Sequence, residues 1–258
     1  MAITKTPEEI QILREGGKRL AEILAKVVRE AKPGVSTLAL DRTGEGLIFA
    51  SGGTPSFKGY RSKGDRAPYP CSLCISVNDE VVHALPRENR ILQEGDVVGI
   101  DIGMKWPSKN GLYTDMAVTV GIGKISAGAE RLLRVTKKAL DIGIKAVCPG
   151  ARIGDIGSAV QKVLERDHLG VVRDLAGHGV GHEVHEEPLI PNFGRPGTGM
   201  EIKAGMVLAI EPMATLGNAK VELDKDGWTF RTADRGLAAH FEHTVVVTEN
   251  GAEVLTVV

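Results

Sequence analysis

Apolar residues recur at helical spacing in four segments of the chain, arranged as two pairs. The first segment begins at residues 6–9, whose Thr-Pro-Glu-Glu order is typical of a capping box with proline at N1, and it ends at Pro33-Gly34. We predict a second helix over residues 37–50, a third over about 130–146 and a fourth that carries the apolar residues of 153–164.

The second half of the chain repeats the plan of the first. Strand-like apolar segments follow each helix pair, and residues 95–101 resemble 205–211 while residues 114–120 resemble 241–247. Short apolar strands look alike in many proteins, so chance similarity stays an alternative for the strands by themselves. The order helix, helix, strands in each half predicts an α+β fold whose helices cover one face of a curved sheet.

The repeat aligns acidic residues that stand in apolar strands. Asp101 falls on Glu211, and Asp115 falls on Glu242. Carboxylates buried in such strands cost several kcal/mol each unless a cation compensates them. Neither lysine nor arginine lies within these strand segments, and clustered carboxylates would raise one another's pKa values. The pattern therefore favours a metal site over salt bridges.

A glycine-rich segment, residues 176–188, supplies the expected imidazole ligand, His178. Glycines on both sides let the backbone approach a ligand closely. Because Gly179 follows His178, this histidine does not begin the HExxH pattern of zincins. One imidazole with four carboxylates predicts two divalent metal ions about 3.5–4 Å apart. The oxygen-rich set favours Mn²⁺ or Fe²⁺ and leaves Co²⁺ and Zn²⁺ open.

Composition narrows the class of protein. The chain has 258 residues, 42% of them hydrophobic, with 32 basic and 33 acidic side chains. This balance predicts no stable nucleic-acid complex, although it leaves open a local contact with the ribosome. The sequence has neither an apolar run long enough for a membrane span nor a secretory signal. The three cysteines are typical of the cytoplasm. Cys71-x-x-Cys74 has no second CxxC that would complete a zinc site, and it is not followed by the βαβ pattern of thioredoxin-like redox proteins.

Three motifs make the chain resemble the type I methionine aminopeptidases: CISVNDEVVH at 74–83, GHGVG at 177–181 and AHFEHT at 239–244. The resemblance extends over nearly the whole chain. It implies the pita-bread fold, a single catalytic domain (1–258) in which pseudo-symmetric halves, about 1–125 and 126–258, share a curved antiparallel sheet. It also implies a monomeric cytoplasmic hydrolase that removes the initiator methionine from nascent polypeptides with a small second residue.

The resemblance assigns a role to each expected metal ligand. Asp101 would bind one metal ion, and His178 and Glu211 would bind the other. Asp115 and Glu242 would bridge both ions. A water between the two metals would be the nucleophile, with Glu211 as its acid/base partner.

The substrate-binding residues follow from the same resemblance. His83 and His185 would hydrogen-bond to the scissile amide and stabilise the tetrahedral intermediate. For His83 the alternative is an ordinary surface histidine, and for the aromatic residues it is core packing. The apolar methionine pocket would be formed by Phe57, Tyr60, Tyr69, Cys74 and Trp228.

Three departures from the family pattern affect the pocket rather than the metal ligands. The loop at residues 61–68 is longer than usual and is expected to displace Tyr69. The loop at 105–110 is also extended, and Val184 stands where phenylalanine is common, which would widen the pocket or change its shape.

Two alternatives to this function stay open at the level of sequence. An Xaa-Pro aminopeptidase or dipeptidase shares the fold and ligands but normally carries a further N-terminal domain, for which we expect no room before the first helix. A non-catalytic binding relative would usually have lost ligand residues, whereas all five are present here.

Overall fold

The computed structural model describes residues 3–61 and 67–258. Within them the four predicted helices are confirmed: α1 (Pro7–Glu30), α2 (Thr37–Ala50), α3 (Ala127–Lys145) and α4 (Ile153–Arg166). The capping box at the start of α1 is present. Helix α3 begins earlier than predicted because the Ser126 side chain accepts a hydrogen bond from the Ala129 backbone N–H. None of these helices is both long and apolar enough to cross a membrane.

Fifteen strands lie in the described part of the chain. Their bounds are β1 (Thr54–Pro55), β2 (Leu73–Val77), β3 (Glu80–Val82), β4 (Val97–Trp106), β5 (Leu112–Gly121), β6 (Gly170–Val171), β7 (Ala176–Gly179), β8 (Glu186–Pro191), β9 (Val207–Ile210), β10 (Met213–Thr215), β11 (Val221–Leu223), β12 (Phe230–Thr232), β13 (Ala238–His240), β14 (Glu242–Thr248) and β15 (Gly251–Val254).

One nine-stranded sheet organises the molecule. Its path runs β1-β4-β5-β14-β9-β7-β8, with β2 beside β4 and β15 beside β14. Two three-stranded sheets, β13-β10-β6 and β11-β12-β3, complete the sheet structure of the described residues, in which every strand pairing is antiparallel. Helices and an antiparallel sheet confirm the predicted α+β class.

Strands β5 and β14 join the two halves of the sequence, and two threonines reinforce the joint. Thr244 Oγ1 accepts a hydrogen bond from the Asp115 backbone N–H at 2.9 Å and donates to the Asp115 carbonyl at 2.7 Å. Thr119 makes the same reciprocal pair with the His240 backbone, at 2.9 and 2.7 Å. These bonds satisfy buried backbone groups. The Thr244 bonds fix β14 against β5, and the Thr119 bonds tie β5 to the last residue of β13.

The helices pack in pairs on the sheet. Leu24 of α1 lies in one buried cluster with Ile100 of β4, and Leu140 of α3 lies in another with Leu208 of β9. Burying each such side chain contributes roughly 1.5–3 kcal/mol. The helices thereby cover apolar residues of the sheet in both halves of the chain.

A buried ion pair ties the start of the chain to the segment between β7 and β8. Lys5 Nζ, whose side chain is 0% exposed, lies 2.7 Å from Glu186 Oε2. Glu186 Oε1 accepts backbone hydrogen bonds from His182 at 2.6 Å and Glu183 at 3.0 Å. The ring of His182 in turn lies 2.6 Å from Glu9 Oε1. This network fixes the loop that leads out of β7.

We expect Lys5→Met to lower the free energy of unfolding by about 3 kcal/mol, because it leaves the buried Glu186 carboxylate without its cation. Urea unfolding followed by circular dichroism measures the change. The matched control is Lys137→Met, whose partner Asp141 and own side chain are both at least half exposed, so its effect should stay below about 0.5 kcal/mol. Equal effects of the two substitutions would mean that the buried pair adds nothing beyond a surface ion pair.

Candidate metal centre

Strand register brings the predicted ligands onto one face of the large sheet. Asp101 of β4 and Glu242 of β14 both pair with Ala117 of β5, one from each side. Directly paired residues share a face, and so do residues two apart in a strand. Asp115, two residues before Ala117, therefore lies on the same face as Asp101 and Glu242.

The second row of the site comes from the neighbouring strands. His178 of β7 pairs with Ala209 of β9, which pairs with Thr244 of β14. Glu211 follows the last residue of β9, two positions beyond Ala209, and lies beside His178. Adjacent strands thus bring together residues that are far apart in the sequence.

Distances show a compact cluster. Ligand atoms of Asp115, His178 and Glu242 all lie within 4.8 Å of one another. His178 Nε2 lies 3.5 Å from Glu211 Oε1. Asp101 is close enough to Asp115 and Glu211 for their charges to affect its pKa. Four carboxyl groups and an imidazole therefore meet in one place.

Burial raises the pKa values of all four carboxyl groups well above their ordinary range. Removal from water is the largest cause in each case, and the charge of Asp115 adds to the rise at Asp101 and Glu242. Burial also lowers the pKa of His178 to about 3, so this imidazole is neutral at physiological pH. The ionised form of the site consequently needs a compensating positive charge.

The described residues do not supply that charge as a lysine or arginine. Within them, Asp101 Oδ1, Asp115 Oδ1 and Glu242 Oε1 are buried without a hydrogen-bond partner. Such unpartnered oxygens are rare in folded proteins, and a cation bound among them would compensate all three. The donor set of carboxylate oxygens with one imidazole suits a divalent metal ion.

The tautomer of His178 fits the same conclusion. Its Nδ1 lies 2.9 Å from the carbonyl oxygen of Gly179, and a carbonyl can only accept, so Nδ1 carries the proton. The Nε2 lone pair is then left facing the Glu211 carboxyl group at 3.5 Å. A neutral imidazole held by a backbone carbonyl in this way is the usual form of a metal-binding histidine.

The glycines beside His178 are required by close packing. A Cβ on Gly177 would collide with the carbonyl oxygen of Ala209, and one on Gly179 would collide with that of Glu187. Gly181, at φ 144°, packs against the stem of Lys5. Close backbone approach explains the glycines around the histidine.

A cavity of about 390 Å³ contains the cluster. Every site residue predicted from the sequence lies in its lining. These residues are Phe57, Tyr60, Tyr69, Cys74, His83, Asp101, Asp115, His178, His185, Glu211, Trp228 and Glu242.

The apolar part of the cavity is a packed cluster. Tyr69 is buried, its hydroxyl lies 3.1 Å from the carbonyl oxygens of Leu73 and Ala84, and its ring meets Trp228 edge-on at 5.3 Å. The displacement of Tyr69 expected from the longer loop is therefore wrong, because these contacts hold the ring in the cavity wall. Residues 62–66 of that loop lie outside the described residues.

The other two departures have different consequences. Val184 is buried in the cluster that contains Phe57, Tyr69 and Cys74, so it packs against residues of the cavity wall without itself being among the described lining residues. The loop at 105–110 is the connection between β4 and β5, and none of its residues is among the described lining of the cavity.

Two further histidines, His83 and His185, line the cavity beside the cluster. The His185 ring meets that of His178 edge-on at 4.4 Å, and its Nδ1 lies 2.7 Å from the Tyr60 hydroxyl. His83 adopts a left-handed backbone conformation, φ 59°, and its ring lies 5.9 Å from that of Phe230. Positive φ at a non-glycine residue is uncommon and is often found at functional sites.

Sequence reasoning missed part of the site. His240 is buried, with Nε2 3.5 Å from Glu211 Oε2 and 3.9 Å from Glu242 Oε2, whereas the motif at 239–244 by itself gives this histidine no role. The feature of the sequence that could have identified His240 as a site residue is its position two residues before Glu242. The remaining unpredicted lining residues are Val82, Leu175, Ala176, Leu189, Met213, Leu223, Gly227 and Phe230.

Several known proteins are similar to this chain in sequence or fold over nearly the full length of both chains. The methionine aminopeptidase of Clostridium perfringens is 45% identical over 100% of both chains. Methionine aminopeptidase 1 of Bacillus subtilis is 43% identical over 99% of both. The crystal structure of methionine aminopeptidase from Thermotoga maritima matches with a TM-score of 0.93 and 42% identity, covering 98% of each chain.

More distant structures share the fold alone. Prolidase from Pyrococcus furiosus matches with a TM-score of 0.75 and 23% identity, covering 99% of this chain and 66% of that one. These likenesses confirm the predicted pita-bread fold. The profile described as metallopeptidase family M24 matches residues 11–249. The chain belongs to metallopeptidase family M24.

Proposed function

We propose that this protein is a dinuclear-metal aminopeptidase that removes the N-terminal methionine from nascent polypeptides with a small second residue. The observation that carries the proposal is the convergence of four buried carboxyl groups and His178 beside an apolar pocket in one cavity. The full-length similarity to proteins named methionine aminopeptidase supports the choice of substrate.

In this proposal two divalent ions, of Mn, Fe, Co or Zn, occupy the cluster. The residues that would hold these ions are Asp101, Asp115, His178, Glu211 and Glu242. When bound, such ions lower the pKa of water and stabilise negative charge on oxygen.

The residues of the chain then carry out the proton transfers. Glu211 accepts a proton from the attacking water at a carboxylate oxygen and returns it to the nitrogen of the leaving amine. His83 and His185 donate hydrogen bonds to the oxygen of the scissile amide as it gains negative charge. The contact between Tyr60 and His185 Nδ1 helps to fix the orientation of that ring.

The apolar end of the cavity would take the methionine side chain. Two of its aromatic walls, Phe57 and Tyr69, are at most 8% exposed, so an unbranched thioether placed there is removed from water. Cys74 and Trp228 complete this wall with Tyr60.

We also propose that residues 1–258 act as one catalytic domain. Each half, about 1–125 and 126–258, contributes two carboxylates, and the β5–β14 pairing holds the halves together. The protein would work as a monomer in the cytoplasm, meeting nascent chains through transient contact with the ribosome and forming no stable nucleic-acid complex. The near-balanced charge of 32 basic and 33 acidic residues supports the last point.

The substrate class is tested with two peptides and Mn²⁺-loaded protein. We expect cleavage of Met-Ala-Ser and at least ~100-fold slower cleavage of an Xaa-Pro peptide, because substrate selection in a hydrophobic pocket is worth factors of this size. Chromatographic assay of released amino acids measures both rates. Preference for the proline peptide would favour the Xaa-Pro alternative, and failure to bind metal with neither peptide cleaved would favour a non-catalytic relative.

Glu211→Gln is expected to lower kcat at least ~100-fold, because glutamine cannot accept the proton of the attacking water. Circular dichroism and metal analysis of the variant check that the fold and the metal content are preserved. Glu249→Gln, at an exposed turn position, is the matched control and should keep full activity. Wild-type turnover by Glu211→Gln would remove Glu211 from the mechanism.

Metal removal should destabilise the protein more at high pH than at low pH. The folded-state pKa values of Asp101, Asp115 and Glu242 are raised, chiefly by burial. In metal-free protein their contribution to stability is fully present below the unfolded pKa of about 4 and is lost as pH rises through the folded pKa. Bound cations favour the ionised carboxylates instead and oppose that loss.

The measurement is the difference in Tm between Mn²⁺-loaded and chelated protein. We expect this difference to widen between about pH 5.5 and about pH 8. A difference that stays constant, or narrows, would mean that the three carboxylates do not bind the metal.

A further inference from the structure

Two exposed leucines stand at the open side of the cavity. Leu189 of β8 is 61% exposed and Leu223 of β11 is 54% exposed. Both belong to the lining of the cavity that contains the metal cluster. A single exposed leucine is ordinary on a protein surface, but two on the rim of the cavity that holds the metal cluster each add apolar surface next to the site.

Strand alternation explains the orientation of Leu189. Its neighbour Ile190 is buried in the core cluster of the second half of the chain. Because successive side chains in a strand point to opposite faces, Leu189 points away from that core and towards the cavity side. Its exposure is therefore set by the strand and does not reflect loose packing.

Leu223 extends an apolar wall that begins inside the cavity. It pairs directly with Phe230 in the β11–β12 hairpin, so the two side chains share a face. Phe230 also lines the cavity and contacts the ring of His83. The apolar wall thus continues from a proposed catalytic residue to the rim.

The hairpin that carries Leu223 is held in place. Asp226 accepts backbone hydrogen bonds from Trp228 and Thr229 at 2.9 Å, and it pairs with Arg87 at 2.6 Å. A rim built on a fixed turn needs little ordering when it binds a ligand, which favours binding.

We propose that Leu189 and Leu223 form a subsite for an apolar side chain at the third or fourth residue of the substrate. The inference rests on the proposed function. With methionine at the closed apolar end, the remaining polypeptide leaves through the open side and crosses this rim. Leucine side chains offer no polar groups and are over half exposed, so they recognise a residue by the apolar surface that both remove from water.

The experiment compares three peptides, Met-Ala-Ser-Ser, Met-Ala-Leu-Ser and Met-Ala-Ser-Leu, with Mn²⁺-loaded protein. We expect kcat/KM for at least one leucine peptide to exceed that for Met-Ala-Ser-Ser by ~5-fold or more. In the double variant Leu189→Ser, Leu223→Ser this ratio should fall to about one. Phe49→Ser is the matched control, since Phe49 of α2 is 54% exposed and is outside the cavity lining; it should keep the wild-type ratio.

The possible outcomes test the leucine subsite separately from the proposed aminopeptidase function. Cleavage of all three peptides at equal kcat/KM by the wild type overturns the subsite and leaves the proposed function intact. Failure to cleave any methionine peptide overturns the proposed function, and the subsite falls with it. A wild-type dimer in analytical ultracentrifugation that the double variant loses would assign the rim to a second copy of the chain and overturn the peptide subsite.

Discussion

The chemistry of this molecule depends on a cluster of buried carboxyl groups that have no lysine or arginine partner among the described residues. Asp101, Asp115, Glu211 and Glu242 share one buried face, and no ion pair within residues 3–61 and 67–258 joins them to a lysine or arginine. Such a cluster has two ways to be stable: its carboxyl groups hold protons, or cations bind among them. A folded scaffold that keeps the oxygens together therefore acquires affinity for divalent metal ions.

The scaffold resists this repulsion through its backbone. Adjacent antiparallel strands fix the carboxylates by register, and the two hydrogen bonds between Thr244 and the Asp115 backbone hold β5 against β14 beside the cluster. On the other side of the cluster, the Lys5–Glu186 pair anchors the loop after His178. Preorganisation by strands and buried polar bonds keeps ligands within reach of a metal at low cost when it binds.

The helices, and the apolar strands that carry the acidic residues, could be predicted from the sequence because their signals are local. A capping box at Thr6 and a carboxylate in an apolar strand such as Asp101 can each be recognised without a partner. Positions set by long-range packing could not be predicted. The contacts of Tyr69 with Leu73, Ala84 and Trp228 outweigh the effect of loop length, and the approach of His240 to Glu211 depends on the register of two distant strands. The exposure of Leu189 likewise follows from which face of β8 meets the core.

The proposed chemistry requires two cations bound among these carboxylates. A crystal of the protein soaked in Mn²⁺, measured for anomalous scattering, tests this condition most directly. We expect two anomalous peaks about 3.5–4 Å apart, each bordered by oxygens of Asp115 and Glu242. Carboxylates found apart from one another or paired with lysines and arginines, without anomalous density between them, would contradict the dinuclear site.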